Sequence, residues 1–179
     1  MKTVAEAVAW VKRHRIVLLA AKVEGVPSLA HEVIGGPFKG SWWGHAKGKL
    51  IFELASALED SDEVLLCKLV EGKATFVHAS AWPALARVVL DESWRRPRVA
   101  KLNAAAKKLF ERVEKEGQVR GAEAKAIKAL EESQLALVVS EHTEKGHHQK
   151  VLTSWSRWAS KVKPLKGSLE EALESLKTP

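Results

Sequence analysis

A chain of 179 residues, 46% hydrophobic and 28% charged, is long enough for one domain or two small ones and too apolar to be disordered. It has no apolar run near the roughly 18 residues of a membrane span, no signal-peptide pattern, and one cysteine, Cys67, inside an apolar run; these exclude a membrane protein and a disulfide scaffold and point to a reducing cytoplasm. The net charge of +7 is uneven: residues 1–93 carry 11 Lys/Arg against 11 Asp/Glu, and residues 94–179 carry 18 against 11, which suits either a polyanionic partner for the second half or simple solvation of its surface.

Thr3-Val-Ala-Glu6 is a capping box that opens a helix over about 3–14, with Val4, Val8 and Val11 at helical spacing. Residues 16–19 read as a short strand. Pro27-Ser28 opens a second helix that Gly35-Gly36-Pro37 stops. Two adjacent tryptophans, Trp42 and Trp43, follow in a glycine-bounded loop, where side chains on consecutive residues are expected to point apart. Leu50, Ile51, Leu54, Ala55 and Leu58 then mark a third helix over about 46–59. Residues 63–70 and 73–79 flank Glu71-Gly72 as a hairpin, and Trp82-Pro83 opens a helix to about residue 90. Helix, strand, helix, helix, hairpin is the order of a winged helix-turn-helix.

Residues 91–97 read as a linker. Beyond it the scheme partly repeats. A helix is expected over 98–116, ending at Gly117, and another over 121–132. A hairpin follows, formed by residues 135–141 and 148–154, then a short turn carrying Trp155 and Trp158. Residues 161–166 form a basic loop, and the capping box Ser168-Leu-Glu-Glu171 starts a last helix. Only 17 residues separate Gly117 from Leu135, too few for two ordinary helices and a turn. The expected fold is therefore α+β: tandem winged helix-turn-helix-like units over 1–92 and 98–179, the second one shortened.

On a wheel of 98–116, Arg98, Lys101, Lys108, Arg112 and Lys115 fall in one arc beside the apolar one, a stripe that could follow a phosphate backbone or be a solvated face. Lys161, Lys163 and Lys166 add a second basic segment. Lys47 and Lys49 begin the third helix, where a groove-reading helix places its side chains, although Glu53, Glu59, Asp60, Asp62 and Glu63 follow. Trp42 and Trp43 either plug the junction of helix and wing, with Trp82 alongside, or stack on an unpaired base or wedge a distorted step. His45 and His78 could meet near the wing and, with Glu53 or Glu32, form an acid–base pair; satisfied structural histidines are the plainer reading. His142, His147 and His148 flank the second hairpin turn as polar tip residues, phosphate contacts or metal ligands. No phosphate-binding glycine loop, dinucleotide fingerprint, zinc-protease motif or nucleophile elbow occurs.

Val26-Pro-Ser-Leu-Ala30, Gly40-Ser-Trp-Trp-Gly-His-Ala-Lys-Gly48, Leu69-Val-Glu-Gly-Lys-Ala-Thr-Phe-Val-His78, Ala81-Trp-Pro-Ala-Leu85 and Glu141-His-Thr-Glu-Lys-Gly-His-His148 resemble a family of small bacterial proteins of uncharacterised activity that carries the G-S-W-W-G-H motif. Gly146-His-His-Gln-Lys-Val-Leu-Thr-Ser-Trp155 is similar to the winged-helix parts of bacterial DNA glycosylases that unhook interstrand crosslinks. That resemblance implies the fold and an affinity for nucleic acid. The glycosylases' Gln-x-Gln catalytic motif has no counterpart, because Gln118, Gln134 and Gln149 are not so spaced, and the catalytic role does not carry over. The expectation is a cofactor-free DNA-binding protein, in repair or regulation. Its partner is duplex DNA: the second unit supplies phosphate contacts, and the first supplies selectivity or a contact to a protein partner. The competing readings are a repair or hydrolytic enzyme with His45 and His78 in one cleft, and a protein-interaction module.

Overall fold

The structure, a computed structural model, describes residues 1–142 and 148–177, with Ser140, His142 and His148 described as backbone only. The chain divides into two compact units, Met1–Trp82 with the segment from Glu174 onward, and Pro83–Leu173. Among the described residues no helix is long and apolar enough to cross a membrane.

The first unit runs α1 (Val4–His14), β1 (Ile16–Leu18), α2 (Leu29–Ile34), a 3₁₀ turn (Trp42–Gly44), α3 (Gly48–Glu59), β2 (Val64–Val70) and β3 (Lys73–His78). Thr3 caps α1, its hydroxyl accepting the Glu6 N–H at 3.2 Å, while the Glu6 carboxylate accepts the Lys2 N–H at 2.7 Å. Gly35 ends α2 at φ 93°, the left-handed conformation that favours glycine. The strands pair antiparallel in the order β1-β3-β2, with Phe76 opposite both Val17 and Leu66. Glu71 and Gly72, both at positive φ, make the tight turn of the wing, as the sequence predicts. Val11, Val17, Leu29, Ile51, Leu54, Leu58 and Phe76 meet in the core. This is a winged-helix arrangement, with α3 in the position of the reading helix and β2–β3 as the wing.

The second unit contains most of α4 (Trp82–Val89), then α5 (Glu92–Ala100), α6 (Ala104–Glu116), β4 (Gln118–Arg120), α7 (Ala124–Glu132), β5 (Leu137–His142), β6 (His148–Thr153) and α8 (Trp155–Ala159); α9 (Leu169–Ser175) follows. Its sheet order, β4-β6-β5, repeats that of the first, again antiparallel. Leu109, Val113, Val119, Ile127, Leu130 and Leu152 form its core. Only α7 lies between β4 and β5, where the first unit has α2 and α3, so the second winged helix is shortened by one helix. Ser168 and Glu171 complete the capping box expected at α9: the Ser168 hydroxyl accepts the Glu171 N–H at 3.1 Å and the Glu171 carboxylate accepts the Ser168 N–H at 2.7 Å.

Two sequence expectations are corrected here. Residues 91–97 are not a linker. Asp91 caps α5, accepting the Ser93 N–H at 2.9 Å. Hydrogen bonds from Ser93 and then Arg87 hold the Asp91 carboxyl at about 2. The expected helix over 98–116 is two helices, broken at residues 101–103, because the Asn103 side chain accepts the Ala106 N–H at 2.9 Å and starts α6 afresh.

Candidate nucleic-acid interface

The break separates the cations that the wheel had aligned. Arg98 belongs to α5, where its guanidinium lies over the Trp94 ring and burial pushes its pKa down. Lys101 is the exposed C-cap of the same helix. On α6, Lys108, Arg112 and Lys115 share one face at i, i+4, i+7. Arg112 is paired with Glu116 at 2.9 Å, while Lys108 and Lys115 are exposed and have no ion pair among the described residues. Arg95, on the inner side of α5, is engaged with Glu114 at 2.5 Å and stands over Phe110.

The C-terminal end of α6 is joined to α8. The Ser154 N–H donates to the Gly117 carbonyl at 2.9 Å, and Gly117, at φ 74°, has the Arg157 side chain 3.4 Å from where a Cβ would stand. Cation density at the negative end of a helix is favourable. Lys161, Lys163 and Lys166 follow α8 in an exposed loop with no ion pair among the described residues. The loop is closed at its far end by the Arg87 side chain, which donates to the Gly167 carbonyl at 3.2 Å, and by the Leu165 N–H, which donates to the Pro83 carbonyl at 2.8 Å.

In the first unit, the expected reading-helix lysines do different work. Lys47 is the N-cap of α3, and its ammonium donates to the carbonyls of Val33 at 2.7 Å and Ile34 at 3.2 Å, satisfying the C-terminal end of α2. Lys49 is exposed and ion-paired with Glu53 at 3.8 Å. The tryptophans do not point apart. They sit on the 3₁₀ turn with ring centroids 4.1 Å apart at an interplanar angle of 24°, since three residues per turn set consecutive side chains about 120° apart instead of on opposite sides as in an extended loop, close enough for two large rings to stack. Trp42 is half-buried against the core, whereas Trp43 is 62% exposed. Phe52, on the first turns of α3, lies 5.4 Å from Trp43 and is 48% exposed. Sequence reasoning overlooked Phe52, although it stands off the apolar arc of Ile51, Leu54 and Leu58, and a large apolar side chain on the wrong arc is the signal that finds it. Trp82 donates its indole N–H to the Val77 carbonyl at 3.1 Å.

His45 and His78 serve separate local roles. His45 Nδ1 accepts the Lys47 N–H at 3.1 Å, and its ring faces Phe38 at 6.5 Å. His78, 4% exposed at the end of β3, accepts the Ser80 N–H at 3.1 Å through Nδ1, which also lies 3.0 Å from the Ser80 hydroxyl. Burial pushes its pKa down, the nearby Lys12 and Arg15 push the same way, and Glu63 opposes them. Among the described residues no contact joins the two histidines. The expected histidine cluster lies outside the described residues at His147 and, for the side chains, at His142 and His148.

The profile of a protein family described as AlkZ related matches residues 1–177, and the chain belongs to that family. No curated protein and no solved structure matches the chain.

Proposed function

We propose that this AlkZ-related protein binds duplex DNA and that its second unit holds the phosphates. The observation that carries the reading is the contrast among its cations. Arg95, Arg98 and Arg112 are engaged with the protein's own groups. Lys101, Lys108, Lys115, Lys161, Lys163 and Lys166 are exposed without an ion pair among the described residues. An unpaired ammonium releases condensed counterions when it meets a phosphate, whereas a paired one must first give up its carboxylate. The excess positive charge of residues 94–179 thus resides in side chains able to use it. Winged-helix architecture and family membership support the same partner. Binding rather than catalysis is the reading, since His45 and His78 are each tied into local backbone capping and the chain lacks the Gln-x-Gln pattern.

Fluorescence anisotropy with a short duplex across a salt series tests this. Affinity is expected to fall steeply with salt, and the double variant Lys108→Gln/Lys115→Gln to flatten the log–log slope by about 1.8, two phosphates' worth. Absence of binding at low salt, or binding indifferent to salt, overturns the reading.

A further inference from the structure

We infer that Trp43 and Phe52 form a ledge on the first unit that stacks an unpaired DNA base, a site that rests on the reading of the protein as DNA-binding. The ledge is built rather than incidental. The Ser41 hydroxyl accepts the Trp43 N–H at 3.3 Å, the Gly48 N–H donates to the His45 carbonyl at 2.7 Å, and Lys47 ties the turn to the end of α2. Gly48 is the residue that lets α3 approach, because a Cβ there would stand 2.8 Å from the carbonyl oxygens of both Trp42 and Trp43. A turn pinned this way holds a largely exposed indole in place, an arrangement whose ordering cost is already met before a ligand arrives.

Trp42 covers one face of Trp43 and Phe52 stands tilted beside it at 41°, yet 62% of Trp43 remains exposed. The exposed remainder of the indole is π-surface on which a further planar ring can stack. Charge selects which ring. Residues 33–52 contain Lys39, Lys47 and Lys49 and no carboxylate; from Glu53 onward the helix and the segment after it carry Glu53, Glu59, Asp60, Asp62 and Glu63. Lys39 is exposed without an ion pair among the described residues, Lys47 keeps its charge while donating to the α2 carbonyls, and Lys49 is held only loosely by Glu53, so the aromatic end of α3 is its cationic end, and the opposite end repels a phosphate chain. A helix so polarised does not lie along a groove; it meets nucleic acid at its N-terminal end alone. An apolar peptide would need a continued stripe, and α3 offers Lys49, Glu53 and Glu59 instead. A paired base hides both faces in the duplex stack, so the base must be unpaired.

The test compares a fully paired duplex with the same duplex carrying a short bubble, by anisotropy, with 2-aminopurine in the bubble reporting stacking through quenching. The bubble is expected to bind more tightly. Trp43→Ala is expected to lower the bubble-over-duplex ratio by about tenfold, within the range for loss of one base–aromatic stack, and to abolish the quench; Trp43→Phe retains part of both. Val4→Ser, which removes an exposed apolar side chain elsewhere on the first unit, leaves the ratio unchanged. A wild-type ratio near one, or a ratio that survives Trp43→Ala, overturns the ledge even if the paired duplex binds as proposed. A concentration-dependent dimer that Trp43→Ala abolishes, with the ratio near one, overturns it in favour of a second copy of the chain. A quench lost in Trp43→Ala without any binding of the paired duplex keeps the ledge and removes the phosphate reading.

Discussion

The Arg98 guanidinium carbon stands 3.3 Å from the centre of the Trp94 ring, and an Arg98 N–H donates to the Trp94 carbonyl at 2.9 Å. One turn of α5 thus folds the cation back onto its own helix. Lys108, on the neighbouring helix, projects into water. The two residues should respond oppositely to the same change. Arg98→Gln is expected to lower unfolding free energy by about 1 kcal/mol through loss of the cation–π contact and to leave the salt dependence of duplex binding almost as it was. Lys108→Gln is expected to leave stability within about 0.5 kcal/mol and to reduce the salt slope by about 0.9. Urea unfolding and anisotropy measured on both variants read the two effects separately.

Gly48→Ala is expected to destabilise the protein by about 2 kcal/mol, although alanine is the better helix former by nearly 1 kcal/mol. The new methyl would stand 2.8 Å from two backbone carbonyl oxygens, which cannot rotate away as a side chain would. Urea denaturation provides the measurement. An increase in stability would show that the turn and α3 are not in that close contact.

Acidification should weaken the fold through His78. In the folded chain Nδ1 is occupied as an acceptor, Nε2 is buried without a hydrogen-bond partner among the described residues, and burial holds the pKa below its ordinary 6.5. The unfolded chain therefore takes up the proton first. This contribution to stability is complete above pH 6.5 and is lost as the pH falls from there through the lowered folded value. His78→Asn keeps an acceptor for the Ser80 N–H and has nothing to titrate. Thermal melts between pH 7.5 and 5 should slope downward less for this variant than for the wild type.

Local chemistry made much of the fold legible from the sequence. Thr3 and Ser168 announce helix starts, Gly35 and Gly117 announce helix ends, and Glu71-Gly72 fixes the register of the first wing. The break before α6 was hidden because Val99, Leu102 and Ala106 continue the helical period straight across it; only the Asn103 cap distinguishes two helices from one. Strand β4 has three residues, too short to show alternation, and exists through pairing with β6. The candidate site was harder still to read. A lysine's charge is visible in the sequence, but Lys47 is engaged by Val33 and Ile34, and Arg98 by Trp94. Those partners are set by backbone geometry that composition does not encode.

The shortened second unit has a consequence for motion. It repeats the sheet order of the first with a single helix between β4 and β5, and so has no second helix at a corner to lower into a groove. Phosphates recur along a duplex whatever its sequence, so a surface of exposed lysines without such a helix meets the same energy at each base-pair step. On the proposed reading, a contact of that kind would slide freely instead of settling. The place where the protein halts on a strand would then be decided by the other unit, at whichever base has come loose from its partner.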